Sequence, residues 1–238
     1  IMDVDTRGTA TSDDDVSTVI GWAHHGGVTV TDGVNQSAVD LAMIGGAVQS
    51  AIDFGAPPGS LTHVQGLIGI ETADGVYQLP VIETPASAAR FAVPALASVG
   101  ATGYRLSAVA QTVLGPYGDQ SAVIVRGQAS PEMTATWLAP PTGVAVSRAS
   151  IAWDGGAGQT LATIEYSQGL LPVTRLLNVA VFDGSTSITV PAAVALPDGG
   201  LAAKLTVVGA DGLDVGNFAL DADRGKLGHL ASVPISVP

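Results

Sequence analysis

The sequence has 238 residues, of which 47% are hydrophobic and 13% are charged, and it contains no cysteine. This is ample apolar material for a core, and the absence of cysteine excludes disulfide bonds, so stability has to come from packing. A formal net charge of −12 disfavours binding to nucleic acids or to anionic membrane surfaces. No apolar run approaches the roughly 20 residues of a membrane-spanning helix.

Residues 1–37 form an acidic N-terminal segment. The stretch DVDTRGTATSDD approaches the frame of an EF-hand calcium loop, but Arg7 stands at the fifth position, where calcium needs an oxygen ligand. The composition therefore predicts a mobile, solvated segment that does not bind calcium tightly. The weak calcium candidates in this segment are Asp3, Asp5, Asp13, Asp14 and Asp15.

Residues 24–52 contain two adjacent histidines and patterns that fit more than one secondary structure. His24 and His25 are adjacent, so in a strand they point to opposite faces and do not easily share one metal ion. The alternating stretch VTVT followed by Asp32-Gly33 predicts an added hairpin or an edge strand. Residues 37–52 have helical spacing interrupted by two glycines, which leaves both a helix and a strand open.

Two groups of landmarks recur about one hundred residues apart. An Ile-x-aromatic motif before a glycine-rich turn ends at Phe54 and again at Trp153, and a Val-Pro-Ala motif begins at Val93 and again at Val190. Units of this length, built from short strands and Gly/Pro turns, are typical of β-sandwiches. The sequence predicts an all-β protein with two tandem sandwiches, at residues 38–130 and 139–238.

The predicted boundary lies in the stretch ASPEMTATWLAPPTG. Its consecutive prolines, Pro140 and Pro141, favour a stiff extended entry into the second domain. A linker this short predicts that the two domains touch, with Trp137 between them, and that they form a semi-rigid rod.

The repeated pattern resembles tandem fibronectin type III-like or immunoglobulin-like domains of a bacterial exported protein. Trp153 on an early strand corresponds to the family's core tryptophan, and Leu96, Gly100 and Tyr104 follow its approach to a later strand, with Tyr104 as a candidate tyrosine corner. The spacing from Leu96 to Tyr104 is longer than is usual in the family, and Leu201 stands where the second copy would have its tyrosine. The resemblance implies a β-sandwich fold and leaves the function open, because this fold hosts many functions.

Side chains suited to catalysis are few. Glu71 and Glu83 are the longer acids of the first domain, and His63 and His229 are isolated in the sequence. The motifs of activated serine nucleophiles, zinc proteases and phosphate-binding loops do not occur. The sequence therefore predicts a protein that is not an enzyme and that needs no cofactor.

The leading interpretation is a non-enzymatic binding or adhesion module, extracytoplasmic and at a bacterial cell surface. Trp22, Tyr117 and Trp137 lie beside turn residues and are the candidate binding residues for a protein or carbohydrate ligand. One alternative is an assembly component of an envelope or secreted complex, which would work by strand addition at an exposed edge. Another is a hydrolase or its carbohydrate-binding accessory. An upstream lipid anchor is compatible with each of these.

Overall fold

The computed structural model describes residues 2–5, 16–19, 47–59, 61–84, 88–112, 118–169, 173–194, 196–217, 219 and 223–237. The predicted all-β class is confirmed, since these residues form strands joined by turns and three short 3₁₀ segments, Leu96–Val99, Val215–Asn217 and Arg224–Lys226. In chain order the strands are β1 (Met2–Asp5), β2 (Val16–Val19), β3 (Ala47–Asp53), β4 (His63–Thr72), β5 (Gly75–Thr84), β6 (Ala88–Pro94), β7 (Gly103–Gln111), β8 (Gln120–Gln128), β9 (Glu132–Thr134), β10 (Thr142–Val146), β11 (Ser150–Asp154), β12 (Leu161–Gln168), β13 (Thr174–Val181), β14 (Ser187–Thr189), β15 (Leu201–Ala210) and β16 (Leu227–Val237).

One large antiparallel sheet runs through the molecule in the order β13-β12-β15-β16-β8-β7-β4-β5. Two three-stranded sheets accompany it, in the orders β6-β3-β9 and β10-β11-β14. The pairing of β3 with β9 is parallel, whereas the other pairs in these two sheets are antiparallel.

Each small sheet shares a hydrophobic core with one half of the large sheet. In the first core, Ile52 of β3 and Val93 of β6 lie in one cluster with Ile68 and Leu106 of the large sheet. The second core combines residues of β11, β12, β15 and β16 in the same manner. In strands β7 and β15, buried residues alternate with less buried ones over most of the length, so mainly one face of each strand packs into a core.

The four landmark residues lie inside, as the sequence predicts. Phe54 and Val93 are buried in the first core, and Trp153 and Val190 are buried in the second. The ring of Phe54 packs so closely on Gly66 of β4 that an added Cβ there would come within 2.7 Å of it. A glycine is therefore required at position 66 to admit the aromatic ring.

A seam between β8 and β16 joins the two halves of the large sheet. Val123 lies opposite His229 and Ser121 lies opposite Ala231 in antiparallel register, and the side chains of Val123 and Ala231 are buried. Arg126 of β8 adds two hydrogen bonds across the seam, to the carbonyl oxygens of Gly225 (3.0 Å) and Leu227 (3.1 Å). The predicted rod of two successive domains is therefore wrong, because edge strands of the two halves pair side by side in one sheet.

The linker belongs to both cores. Met133 on β9 and Ala135 are buried in the first core, beyond the predicted boundary at residue 130. Trp137 packs against the same core, and its indole N–H donates a hydrogen bond to the carbonyl oxygen of Phe54 (2.6 Å). The next residue, Leu138, is buried in the second core, so the chain passes from one core to the other between these two residues.

The acidic N-terminal segment is only in part as predicted. Met2–Asp5 and Val16–Val19 form antiparallel strands, with Asp3 opposite Thr18 and Asp5 opposite Val16, so a mobile tail is the wrong description for these residues. The β-branched residues of β2 favour an extended strand more than the acidic composition suggests. The hairpin predicted around Asp32-Gly33 lies outside the described residues.

Tyr104 on β7 anchors the end of β6. Its side chain is buried, and its hydroxyl donates a hydrogen bond to the carbonyl oxygen of Pro94 (2.8 Å). Burial raises the pKa of this phenol above its usual value of 10.0. The folded state therefore holds the phenolic proton more tightly than the unfolded chain does.

Replacing Tyr104 by phenylalanine should lower the free energy of unfolding by about 1 kcal/mol at neutral pH, because one hydrogen bond is lost. A raised pKa contributes stability that is complete below pH 10.0 and is lost as the pH rises through the folded pKa. The variant should therefore lose less stability than the wild type as the pH rises above about 10. Urea titrations at several pH values followed by circular dichroism measure both effects, and an unchanged alkaline slope would contradict the second.

Candidate functional site

Most of the residues predicted to bind a ligand lie outside the described part of the chain. This applies to Trp22, Tyr117 and the group Asp13–Asp15, as it does to His24 and His25. Trp137 is described, and its indole N–H is already engaged with Phe54. A role of Trp22 or Tyr117 in recognition therefore stays a prediction, and Trp137 has a structural contact that explains its position.

The two longer acids of the first half are far apart. Glu71 lies next to the β4–β5 turn, whereas Glu83 lies opposite Gln65, six residues away along β4 or about 20 Å. A pair of carboxylates that cleaves a glycosidic bond has to be about 5–10 Å apart. These two acids therefore cannot act as such a pair.

Glu71 also has a structural partner. Its Oε2 atom accepts a hydrogen bond from the backbone N–H of Gly127 at 3.0 Å. Gly127 has a φ of 63°, and an added Cβ on Gly103 would come within 2.9 Å of it, so the backbones of β7 and β8 approach closely at this point. The carboxylate of Glu71 thus stabilises a close approach of β7 and β8 that a side chain at residue 103 would obstruct.

The two described histidines stand apart from each other. His63 is exposed at the start of β4, and Nδ1 of His229 lies 2.7 Å from the carbonyl oxygen of Thr136 at the seam. Within the described ranges no three histidine or acidic side chains converge on a position that could hold a metal ion.

Aromatic side chains do not form an exposed row in the described residues. Phe54, Tyr104, Trp153 and Tyr166 are buried, and Tyr77 on β5 is the exposed aromatic residue among those whose side chains the structure describes. A row of exposed rings is the feature that would favour carbohydrate binding, so the described surface gives this alternative no support.

The edges of the large sheet are a different kind of feature, because an edge strand offers unpaired backbone N–H and C=O groups to another strand. One edge is β5, and it is interrupted. Gln78 lies opposite Gly69 and Val81 lies opposite Leu67, so Leu79 and Pro80 together face a single residue of β4. Pro80 has no N–H to donate, and the bulge distorts the edge, so β5 is a poor template for a further strand.

The other edge is β13, and it is open among the described residues. Leu177 through Val181 pair regularly with β12, and no described strand pairs with the opposite side. Leu176 forms a bulge in this pairing, and the five residues after it, Leu177 to Val181, carry no charge and include no proline. Because lysine, proline, bulges and short length are the usual protections of an edge, the run from Leu177 to Val181 is the least protected part of the edges of the sheet.

Charged residues of opposite sign stand at the two ends of β13. At its start, Arg175 forms an ion pair with Glu165 of β12 (3.1 Å), although its side chain remains 79% exposed. Just after its end, Asp183 is exposed, and one of its carboxylate oxygens accepts a hydrogen bond from the backbone N–H of Ser185 (2.9 Å). Hydrogen bonds from Ser185 hold the pKa of Asp183 below its usual value of 3.8, so this residue is ionised at neutral pH.

The edges of the two small sheets are less suited to pairing with a further strand. Strands β9 and β14 have three residues each, and β10 has five with an irregular register. Strand β6 contains Arg90 and ends at Pro94. The edge of β13 is therefore the candidate functional site of the described structure.

Comparison with known proteins does not identify a family for this chain. No protein-family model matches the sequence, and no curated protein is significantly similar to it. Among the described residues there is also no helix of the length and apolar character needed to cross a membrane.

Proposed function

We propose that the protein is a non-enzymatic, extracytoplasmic interaction module that binds an extended segment of a protein partner by strand addition at β13. The observation that carries this proposal is the open, uncharged edge from Leu177 to Val181, at one end of a sheet whose other end is interrupted by Pro80. Strand addition gains affinity from backbone hydrogen bonds and specificity from alternate side chains.

The proposal includes the finer fold assignment of two immunoglobulin-like or fibronectin type III-like sandwiches. Strand order supports it, because β10-β11-β14 over β13-β12-β15-β16 has a counterpart in β6-β3 over β5-β4-β7-β8. The buried pairs Phe54 with Trp153 and Val93 with Val190 occupy equivalent strands or strand ends in the two halves. The hydrogen bond from Tyr104 to the backbone of Pro94 is of the kind made by a tyrosine corner.

An extracytoplasmic location at a bacterial cell surface is supported by composition. Lysine is scarce, aspartate exceeds glutamate, and alanine and glycine are abundant, as is common in exported proteins of GC-rich bacteria. A rigid sheet that presents one open edge suits an assembly component of an envelope or secreted complex better than a flexible adhesive stalk. The assembly function is therefore preferred to adhesion through exposed aromatic residues.

Binding of a generic extended peptide tests the function. The probe is a fluorescein-labelled peptide of alternating Thr and Val, about eight residues long with a lysine at each end, measured by fluorescence anisotropy. The wild type should bind it at least about tenfold more tightly than a control peptide whose alternate backbone nitrogens are methylated, because methylation removes hydrogen bonds and leaves the charge unchanged.

Proline variants locate the binding to β13. Adjacent residues of a strand direct their N–H groups to opposite sides, so one of Asn178→Pro and Val179→Pro removes an N–H that points away from β12. The variant that retains the wild-type melting temperature should lose the peptide. Equal binding of both peptides, or full binding by that folded variant, would reject strand addition at this edge.

A further inference from the structure

We infer that the segment bound at β13 is an amphipathic strand, with apolar side chains at alternate positions and basic residues at its ends, and that its apolar face completes the second core. This inference rests on the proposed function, since it names the chemistry of the segment that pairs with the same edge. It follows from the directions of the side chains of β13, from their partial burial, and from the charges around this edge.

The apolar side chains of β13 are directed to the core side of the sheet. Leu177 lies opposite Tyr166 of β12, and Val179 lies opposite Ile164. Residues directly opposite each other on neighbouring strands share a face of the sheet, and both residues of β12 are buried in the second core. Val181 follows the same alternation, so three apolar side chains of β13 are on the core side.

The second core is closed at β12 and open at β13. The two residues of β12 that face the core at this point, Tyr166 and Ile164, are 0% exposed. Leu177, Val179 and Val181 of the edge strand are only half-buried. A strand added beyond β13 would place its own side chains beside these three and cover the part of them that is now exposed.

The first half of the sheet is closed at the corresponding edge. Leu79 of β5 is 6% exposed and packs in the first core. It belongs to the bulge beside Pro80, so the irregularity that makes β5 a poor template also covers the core there. The two edges therefore differ, because β5 covers its own core whereas β13 leaves apolar surface that an added strand would bury.

The outer face of the sheet is polar or small beside β13. Asn178 and Ala180 are exposed on this face, and Glu165 and Thr163 lie opposite them on β12. Side chains of an added strand alternate between the two faces of the sheet. Every second residue of the bound segment therefore extends the second core, and the residues between them lie on a polar, solvated face.

The charges near the edge favour basic residues at the ends of the segment. The protein carries a net charge of −12, which attracts basic segments and repels acidic ones. At the start of β13, the charge of Arg175 is balanced by its ion pair with Glu165. Beyond the end of the strand, Asp183 is exposed and ionised. The sum over these three side chains is negative, so lysine or arginine suits the ends of the segment better than glutamate or aspartate.

Peptides that differ in the order of their residues test the apolar face. The first is the Thr/Val peptide with a lysine at each end, whose alternation places every valine on one face. The second has the same residues in the repeated order Val-Val-Thr-Thr, so each face carries equal numbers of valine and threonine. Both peptides offer the same backbone hydrogen bonds and the same charge. In fluorescence anisotropy the alternating peptide should bind at least about tenfold more tightly, because more of its valines contact the open core.

A substitution at Val179 relates this preference to the core side of β13. Val179→Thr keeps the branched shape and the backbone N–H but places a hydroxyl in the apolar contact, so the preference should fall about threefold or more. Ala180→Ser is the matched control, since it adds a hydroxyl on the exposed outer face and should leave the preference unchanged. Val181→Thr repeats the test at the next core-side residue, and melting temperatures establish that each variant is folded.

Replacement of the two terminal lysines of the alternating peptide by glutamates tests the charge preference. The glutamate peptide should bind about tenfold more weakly at about 0.05 M NaCl, and the difference should shrink at about 0.5 M NaCl, because salt screens exposed charges. Equal affinities of the two peptides at low salt would contradict the basic ends.

The outcomes separate this inference from the proposed function. Equal binding of the alternating and rearranged peptides, with both tighter than the methylated peptide, would overturn the apolar face and leave strand addition standing. A preference that Val179→Thr and Ala180→Ser leave equally unchanged would overturn it as well. Failure of every unmethylated peptide to bind would reject both the inference and the proposed function.

Discussion

Replacing Trp153 by alanine is expected to lower the free energy of unfolding by about 3–5 kcal/mol, the range for truncation of a large buried aromatic residue. Trp153 is only 4% exposed, packs in the second core, and donates a hydrogen bond from its indole nitrogen to Oε1 of Gln159 at 3.2 Å. Alanine would leave a cavity that a β-sheet interior fills poorly, because the backbone is held by its ladder.

Urea denaturation followed by far-ultraviolet circular dichroism measures this loss without relying on tryptophan fluorescence. The neighbouring variant Ala152→Ser is the matched control, since residue 152 is exposed on the same strand and should change stability by less than about 0.5 kcal/mol. A loss from Trp153→Ala as small as that of the control would show that Trp153 is not a core residue and would remove a main support for the repeat.

Replacing Met133 by alanine is expected to cost about 2–5 kcal/mol. Met133 is 4% exposed and lies on β9, opposite Ile52 of β3, where it closes the first core from the linker. The predicted domain boundary at residue 130 would place it outside that core, so its large effect distinguishes the structure from the sequence-based boundary.

Thr134→Ala is the matched control for Met133, because Thr134 is the next residue and is exposed. The same urea titration should show a small change for Thr134→Ala and a large one for Met133→Ala. Similar small values for both would mean that the linker does not contribute to the first core.

The strands and the core were predictable where the pattern is local. The alternation in β7 and β15 and the aromatic landmarks Phe54 and Trp153 are visible in the sequence, because one buried face imposes a period of two. Strand β9 was missed because three residues are too few for a periodic signal. Parts of the N-terminal segment were misjudged because the acidic composition outweighed the β-branched residues of β2.

The candidate site was only in part predictable. Strand addition could be named as an alternative, but which strand is at an edge depends on the order of strands in the sheet, and local periodicity does not encode that order. The uncharged run from Leu176 to Val181 reads equally well as a central strand. The role of Glu71 was hidden for the same reason, since its partner, Gly127, is 56 residues away.

The seam between β8 and β16 has a consequence for synthesis of the chain on the ribosome. His229 lies about one hundred residues after Val123, so β8 is complete well before its partner emerges. At about 5–20 residues per second, β8 waits roughly 5–20 s with one side of its backbone unpaired. During this interval the apolar run from Ala122 to Val125 is exposed to other nascent chains. Emergence of β16 ends this exposure, because it pairs with the free side of β8.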